Sequence, residues 1–212
     1  MKFDSRSLLL YAVTDRTWLN GRRLYDDVRD AIIGGATFVQ LREKNLGYDD
    51  FKAQAVEIKR LCREFNVPFV INDNVMLARD VDADGVHVGQ DDMRASDVRN
   101  IIGHDKILGV SVRTPEEAML AESNGADYLG AGAVFHTGSK NDAVDITHEA
   151  LREICRAVKI PVVAIGGINA KNIHELSGSG IKGVAVISAI FAAENIRAAA
   201  LALKGRALNI CV

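Results

Sequence analysis

Asp73 and Asp92 are the first candidates for chemistry, because each follows a short apolar run. The runs are 69–71 and 85–88, and both resemble strands of a buried parallel sheet. The carboxyl ends of successive parallel strands lie roughly 5 Å apart. Two carboxylates there, without an adjacent Lys or Arg, suit a hard cation such as Mg²⁺ that also binds a substrate phosphate. The sequence therefore predicts a Mg²⁺ site at Asp73 and Asp92.

A group of polar side chains follows the preceding apolar run. Gln40, Arg42 and Lys44 occupy alternate positions and so share one face of an extended strand. A phosphate would be held there by the guanidinium fork of Arg42 and the point charge of Lys44. The alternative is a charge cluster on the outer face, paired with Glu43.

A second anion site is predicted near the end of the chain. Gly166-Gly167 follows one apolar run, and Ile187-Ser188 follows the next and opens a helix. In α/β barrels these loops commonly bind phosphate through backbone N–H groups. The simpler alternative is a tight glycine turn and a helix cap. Two phosphorylated ligands facing each other suggest a transfer that releases phosphate or pyrophosphate.

Bulk properties exclude several classes of protein. The 212 residues carry a net charge of -2, which leaves no basic surface for nucleic acid. No apolar run approaches the roughly 20 residues of a membrane span. The three cysteines are scattered, so we expect free thiols and a cytoplasmic location rather than a disulfide framework. The oligomeric state stays open, with a homo-oligomer among the options.

Eight apolar runs alternate with helical periodicity along the chain. We expect strands over 8–13, 37–41, 68–71, 84–88, 107–110, 128–130, 161–165 and 183–187. We expect helices over 24–33, 48–65, 75–80, 148–158, 169–176 and 188–203, one capped by Ser96 that reaches Ile102, and one capped by Thr114 that ends at Asn124. This pattern predicts one α/β domain over 1–212, a TIM (β/α)8 barrel. A doubly wound open sheet is the alternative.

Ordered motifs give the chain a resemblance to a known family. The motifs are Gln40-Leu41-Arg42-Glu43-Lys44, Ile71-Asn72-Asp73, the run 85–92 (GVHVGQDD), Gly109-Val110-Ser111, the run 126–130 (ADYLG), Ala164-Ile165-Gly166-Gly167-Ile168 and the run 183–188 (GVAVIS). Together, from about Tyr11 to Phe191, they resemble the thiamine-phosphate synthases. Glycine loops of the AIGGI type are common among phosphate-binding barrels, whereas the ordered set is specific.

The resemblance implies a Mg²⁺-dependent TIM-barrel enzyme. Its substrates would be 4-amino-2-methyl-5-hydroxymethylpyrimidine diphosphate and 4-methyl-5-hydroxyethylthiazole phosphate, joined by an SN1-like step that releases pyrophosphate. By match of motif, the residues that bind the pyrimidine diphosphate would be Gln40, Arg42, Lys44, Asn72, Ser111 and Lys140. Asp73 and Asp92 would hold Mg²⁺. The thiazole phosphate would bind Thr137, Ser139, Gly167, Ile187 and Ser188.

Two departures and two rival functions accompany the resemblance. The family usually shows a Pro-Thr-x-Thr-Lys run where this chain has His136 to Lys140, and Asn74 stands where a charged residue is common. A related group, the thiazole tautomerases, uses a His at the end of the sixth strand. This chain has Ala133 there, but His136 is near. A non-catalytic barrel that senses a phosphorylated ligand is the third hypothesis, although a sensor needs no metal for a leaving group.

Overall fold

The computed structural model describes residues 3–137 and 145–211, and its centre is a closed barrel of eight parallel strands. The strands are β1 (Leu10–Val13), β2 (Phe38–Leu41), β3 (Phe69–Asn72), β4 (Gly85–Val88), β5 (Ile107–Val112), β6 (Tyr128–Gly132), β7 (Val162–Ile165) and β8 (Gly183–Val186). Each strand pairs with the next in the chain, and β8 pairs with β1 through Leu10 and Val184. The TIM barrel predicted from the alternating pattern is confirmed, and the open sheet is excluded.

Helices surround the barrel and connect its strands. They are α1 (Leu24–Ile33), α2 (Tyr48–Glu64), α3 (Val75–Asp80), α4 (Ala95–Ile102), α5 (Pro115–Ser123), α6 (His148–Ala157), α7 (Ser188–Phe191) and α8 (Ile196–Leu208). Local chemistry sets several of their starts. Thr114 caps α5 by accepting a hydrogen bond from the Glu117 N–H, as predicted, and Pro115 is the first residue of the helix. No helix in the described parts of the chain is long and apolar enough to cross a membrane.

The buried side chains form two layers. The outer layer joins strands to helices and contains mostly Val, Ile, Leu and Ala. The inner layer fills the barrel and includes Tyr11, Phe38, Tyr128 and Val163. Phe38 forms T-shaped pairs with both tyrosine rings, with centroids 4.6 and 5.7 Å away. Because alternate residues of each strand face inward, this layer closes the amino-terminal end of the barrel and leaves the carboxyl end for ligands.

Four predicted elements differ from the structure, and three of them differ at a start or a break. The first strand begins at Leu10, because Asp4 caps a 3-10 turn over Ser5–Leu8. Ser96 is not a cap, since α4 starts at Ala95 after Arg94. The predicted closing helix is two helices, because the Asn195 side chain accepts from the Ala198 N–H and starts α8 anew.

The helix predicted over 169–176 is only a 3-10 turn, Ile173–Leu176. The cause is local hydrogen bonding by two asparagine side chains. Asn172 Oδ1 accepts from the Asn169 N–H, and Asn169 Oδ1 accepts from the Lys171 N–H. Such bonds compete with the helical ladder, so the segment remains an irregular turn.

We expect Gly109→Ala to destabilise the fold by about 1–3 kcal/mol, the usual cost of overpacking a core. Gly109 lies in register between His87 on β4 and Tyr128 on β6. A Cβ there would overlap both side chains. Urea unfolding measures the change. Gly205→Ala in α8 is the matched control, because a Cβ meets nothing within 4 Å there and alanine favours a helix. A Gly109→Ala variant as stable as the parent chain would contradict this packing.

Candidate active site

One cavity of about 340 Å³ opens at the carboxyl ends of the strands. That size suits a small-molecule site. The predicted site residues that border it are Gln40, Arg42, Lys44, Asn72, Asp73, Asp92, Ser111, Thr137, Gly167, Ile187 and Ser188. The other two, Ser139 and Lys140, lie outside the described residues. The fold therefore brings together residues from seven strand ends that are far apart in sequence.

Backbone geometry places the Asp73 carboxylate at the end of β3. Asp73 adopts a left-handed conformation with φ of 60°, which Asp tolerates better than most residues. Its N–H donates to the His87 carbonyl at 2.8 Å, and Asn72 Nδ2 donates to Asp73 Oδ2 at 2.5 Å. Asn74, the departure noted above, caps α3 by accepting from the Leu77 N–H at 2.9 Å. The turn thus holds Asp73 at the cavity.

Asp92 is fixed from the neighbouring strand end, where its Oδ2 accepts from the Gly89 N–H at 2.8 Å. Asp73 and Asp92 offer carboxylate oxygens, which are the ligands that Mg²⁺ prefers. Among the described residues, no group of three or more His, Cys, Asp or Glu side chains could hold a metal. By ligand type the two carboxylates are compatible with Mg²⁺, which usually keeps several water ligands and binds one or two carboxylates together with substrate phosphates.

Arg42 and Lys44 lie beyond the end of β2 and border the cavity, and both also line an adjacent groove that includes Glu43. Glu43 lies 3.5 Å from Arg16, and burial raises its pKa. Arg42 is anchored through its backbone, whose N–H donates to Thr14 Oγ1 at 3.0 Å. Its guanidinium lies 3.4 Å from Asp15 Oδ2, with only 11% of the side chain exposed.

The opposite side of the cavity is a glycine turn after β7. Gly166 and Gly167 have φ of 102° and 63°, and a Cβ on Gly167 would collide with the backbone of the loop after β6. The Gly167 carbonyl accepts from the side-chain amide of Asn172 at 2.9 Å. Ser188 begins α7, which has only four residues. Because such a short helix has a small dipole, an anion here would depend on N–H groups and hydroxyls rather than on the dipole.

Sequence reasoning missed a hydrogen-bonded chain across the cavity floor. Gln40 Nε2 donates to Tyr11 Oη at 2.5 Å, and the two tyrosine hydroxyls are 2.8 Å apart. His87 Nδ1 lies 2.9 Å from Tyr128 Oη, and His87 Nε2 lies 2.9 Å from Ser111 Oγ. Burial raises the pKa of both tyrosines, so both stay protonated. His87 is therefore a packed, hydrogen-bonded residue of the cavity floor.

The geometry gives no support to His136 as a base in this cavity. Its side chain is 95% exposed, and Nδ1 lies 3.8 Å from Asp145. Among the described residues that border the cavity, the loop after β6 contributes Ala133 and Thr137 instead.

Comparisons with known proteins agree with this architecture. Residues 10–190 match the family model described as thiamine monophosphate synthase. A thiamine-phosphate synthase from Clostridium botulinum is 49% identical over 195 residues, covering 92% of each chain. Another from Desulfitobacterium hafniense is 52% identical over 195 residues, covering 92% of this chain and 94% of the relative. The solved thiamine phosphate pyrophosphorylase of Pyrococcus furiosus has a TM-score of 0.90 at 42% identity, covering 97% of this chain and 98% of that one. The chain belongs to the thiamine-phosphate synthase family of enzymes.

Proposed function

We propose that the chain joins 4-amino-2-methyl-5-hydroxymethylpyrimidine diphosphate to 4-methyl-5-hydroxyethylthiazole phosphate, giving thiamine phosphate and pyrophosphate. One observation carries the proposal. A single cavity has cationic and carboxylate side chains on one side and a glycine turn with a serine on the other. This arrangement offers two separate places for phosphate groups within reach of one another. The family membership agrees with it.

The diphosphate group is assigned to the side formed by Arg42 and Lys44. The guanidinium of Arg42 can donate two parallel hydrogen bonds to phosphate oxygens, and the ammonium of Lys44 adds a point charge. Asn72 lies beside them and supplies a further amide. Asp15 helps by holding the guanidinium in one orientation before the ligand arrives.

Asp73 and Asp92 are assigned as the protein ligands of Mg²⁺. They would hold the ion, which would supply positive charge to offset the negative charge of the diphosphate. Without a cation, two carboxylates would repel that group. Their presence at the diphosphate end therefore also favours an enzyme over a barrel that only senses a phosphorylated ligand.

The thiazole phosphate is assigned to Gly167, Ile187 and Ser188, with Thr137 on the same side. Both carbonyl oxygens of the glycine turn are engaged by the protein, Gly166 by the Phe135 N–H and Gly167 by Asn172. An anion approaching the turn therefore avoids repulsion from these carbonyls. By the same motif, Ser139 would join this group and Lys140 would join the diphosphate group.

The reaction then needs orientation and charge stabilisation rather than a protein nucleophile. The bond between the pyrimidine methylene carbon and the diphosphate oxygen breaks first, and its electron pair leaves with pyrophosphate. The 4-amino group stabilises the resulting cation on the ring. The thiazole nitrogen donates its lone pair to the methylene carbon, which forms the new C–N bond. Gln40 and Ser111 hold the pyrimidine ring in place during these steps.

Mixing the purified protein with both substrates and Mg²⁺ tests the proposal. We expect thiamine phosphate and pyrophosphate in equal amounts, and we expect EDTA to stop the reaction. Isomerisation of the thiazole precursor without condensation would overturn the proposal in favour of the tautomerase reaction. Ligand binding without any turnover would overturn it in favour of a sensor. The free thiols of the cysteines suit a cytoplasmic enzyme.

A further inference from the structure

The side chains of Gln40, Tyr11, Tyr128, His87 and Ser111 form the hydrogen-bonded chain on the cavity floor. If each of them donates to the next in that order, every proton of the chain has an acceptor. The Gln40 amide nitrogen can only donate, so Tyr11 Oη accepts from it. Among these five side chains, Tyr128 Oη is then the one acceptor for the Tyr11 proton. The reverse direction would bring two protons to Tyr11 Oη and leave its own proton without an acceptor in that set. A buried donor without a partner is costly, so the first direction is favoured.

The same direction continues through the histidine. Tyr128 Oη already accepts from Tyr11, so its proton goes to His87 Nδ1. A neutral imidazole that accepts at Nδ1 carries its hydrogen on Nε2. That hydrogen is donated to Ser111 Oγ, 2.9 Å away. Ser111 is therefore an acceptor toward the protein, and its own proton is left for the cavity.

The two ends of the chain face the cavity with opposite polarity. The NH2 group of Gln40 faces Tyr11 and donates one N–H to its Oη, so Gln40 Oε1 is the atom left to accept from a ligand. Ser111 Oγ accepts from His87 Nε2, so its own O–H remains to donate to a ligand. Gln90 Nε2 also donates to the Ser111 carbonyl at 2.6 Å and holds the end of β5 in place. One acceptor and one donor on a single floor match a ring edge that offers a donor beside an acceptor.

We propose that Tyr11, Tyr128 and His87 are positioning residues that set this polarity, so that the floor selects a pyrimidine with an amino group over one with an oxo group. The proposal rests on the proposed function, because it specifies which ring the pyrimidine end accepts. An aminopyrimidine presents an N–H donor beside a ring-nitrogen acceptor. A 4-oxopyrimidine presents the reverse order. Its carbonyl oxygen would face the acceptor of Gln40, and its ring N–H would face the donor of Ser111. None of the three positioning residues needs to touch the reacting atoms.

The protonation state of His87 tests the chain without any substrate. In ¹⁵N-labelled protein, long-range proton–nitrogen correlation spectra distinguish the two neutral forms of the imidazole. We expect the hydrogen on Nε2 and a bare Nδ1 at neutral pH. A hydrogen on Nδ1, or a doubly protonated ring, would overturn the proposal. This result does not depend on whether the protein condenses the two substrates. It therefore separates failure of the proposed hydrogen-bond direction from failure of the proposed function.

Tyr128→Phe tests the effect on selectivity. The variant keeps the ring that packs on Phe38 but removes the hydroxyl that links the two halves of the chain. Tyr11 can then donate to the Gln40 carbonyl instead, and reversal of that amide presents a donor to the ligand. We expect the ratio of the dissociation constants of the 4-oxo and 4-amino pyrimidine monophosphates, measured by calorimetry, to fall roughly 10-fold or more.

Tyr48→Phe is the matched control, since it removes a tyrosine hydroxyl that donates to Asp80 at 2.6 Å on the surface. Its selectivity should equal that of the parent chain. A Tyr128→Phe protein that folds but keeps the original ratio would overturn the proposal, because a purely structural tyrosine would weaken both ligands alike. If Tyr128→Phe does not fold, the proposal is tested instead by the ligand selectivity of Tyr11→Phe and by the His87 spectrum.

Discussion

Asp73→Asn is expected to lower kcat/KM about 100-fold or more and to move the Mg²⁺ titration to higher concentrations. Asparagine has nearly the same shape and tolerates the left-handed backbone at φ of 60°, so the turn after β3 should survive. The variant loses the negative charge that the proposed Mg²⁺ requires. Loss of one preorganised electrostatic group typically costs roughly 10² to 10³ in rate. Initial rates of pyrophosphate release across a Mg²⁺ series measure both effects.

Asp92→Asn should behave in the same way, because Asp92 is the second proposed ligand. Asp91→Asn is the matched control, since Asp91 is the adjacent carboxylate and also borders the cavity. It removes the same charge from the same loop, so any effect of net charge alone appears there too. If Asp73→Asn kept the turnover and the Mg²⁺ dependence of the parent chain, the metal assignment would be wrong.

The sequence was sufficient to place the rim of this site. Each parallel strand is buried on both faces, so its carboxyl end is marked by the first polar residues after an apolar run. Asn72, Asp73 and Ser111 could be found by that rule, and the structure places them around one cavity. Strand ends shifted by one or two residues without effect on this outcome, because the polar residue follows the strand whichever residue ends it.

The floor could not be predicted in the same way. Tyr11 and Tyr128 lie inside apolar runs, where the sequence predicts a buried tyrosine whichever face of the strand carries it. Their hydroxyls meet only because the barrel closes and brings β1 and β6 across from each other, 117 residues apart in the chain. The irregular turn after Gly167 was missed for another reason. Its apolar spacing is helical, and only the Asn169 and Asn172 side chains divert the backbone.

The other large effect is expected from Arg42→Lys, which keeps the charge but loses the planar fork. A bidentate, charge-assisted contact contributes roughly 1.5–3 kcal/mol, so the affinity for Mg²⁺-pyrophosphate should fall about 10- to 100-fold. Lysine also cannot reproduce the contact that Asp15 makes with the guanidinium at 3.4 Å. The KM for the pyrimidine diphosphate should rise in parallel, while that for the thiazole phosphate should change little. Pyrophosphate titration and steady-state kinetics measure the two quantities separately.

Arg16→Lys provides the matched control for that experiment. Arg16 lies in the adjacent groove, 3.5 Å from Glu43; Arg42 and Lys44 also line that groove, but Arg16 does not border the cavity. The substitution makes the same chemical change close to Arg42, at a residue that does not border the cavity. Equal losses of pyrophosphate affinity in both variants would show that the effect is not specific to the guanidinium of Arg42, and an Arg42→Lys variant with the affinity of the parent chain would show that Arg42 contributes only its charge. A loss confined to Arg42→Lys would identify the guanidinium fork itself as the group that holds the departing diphosphate.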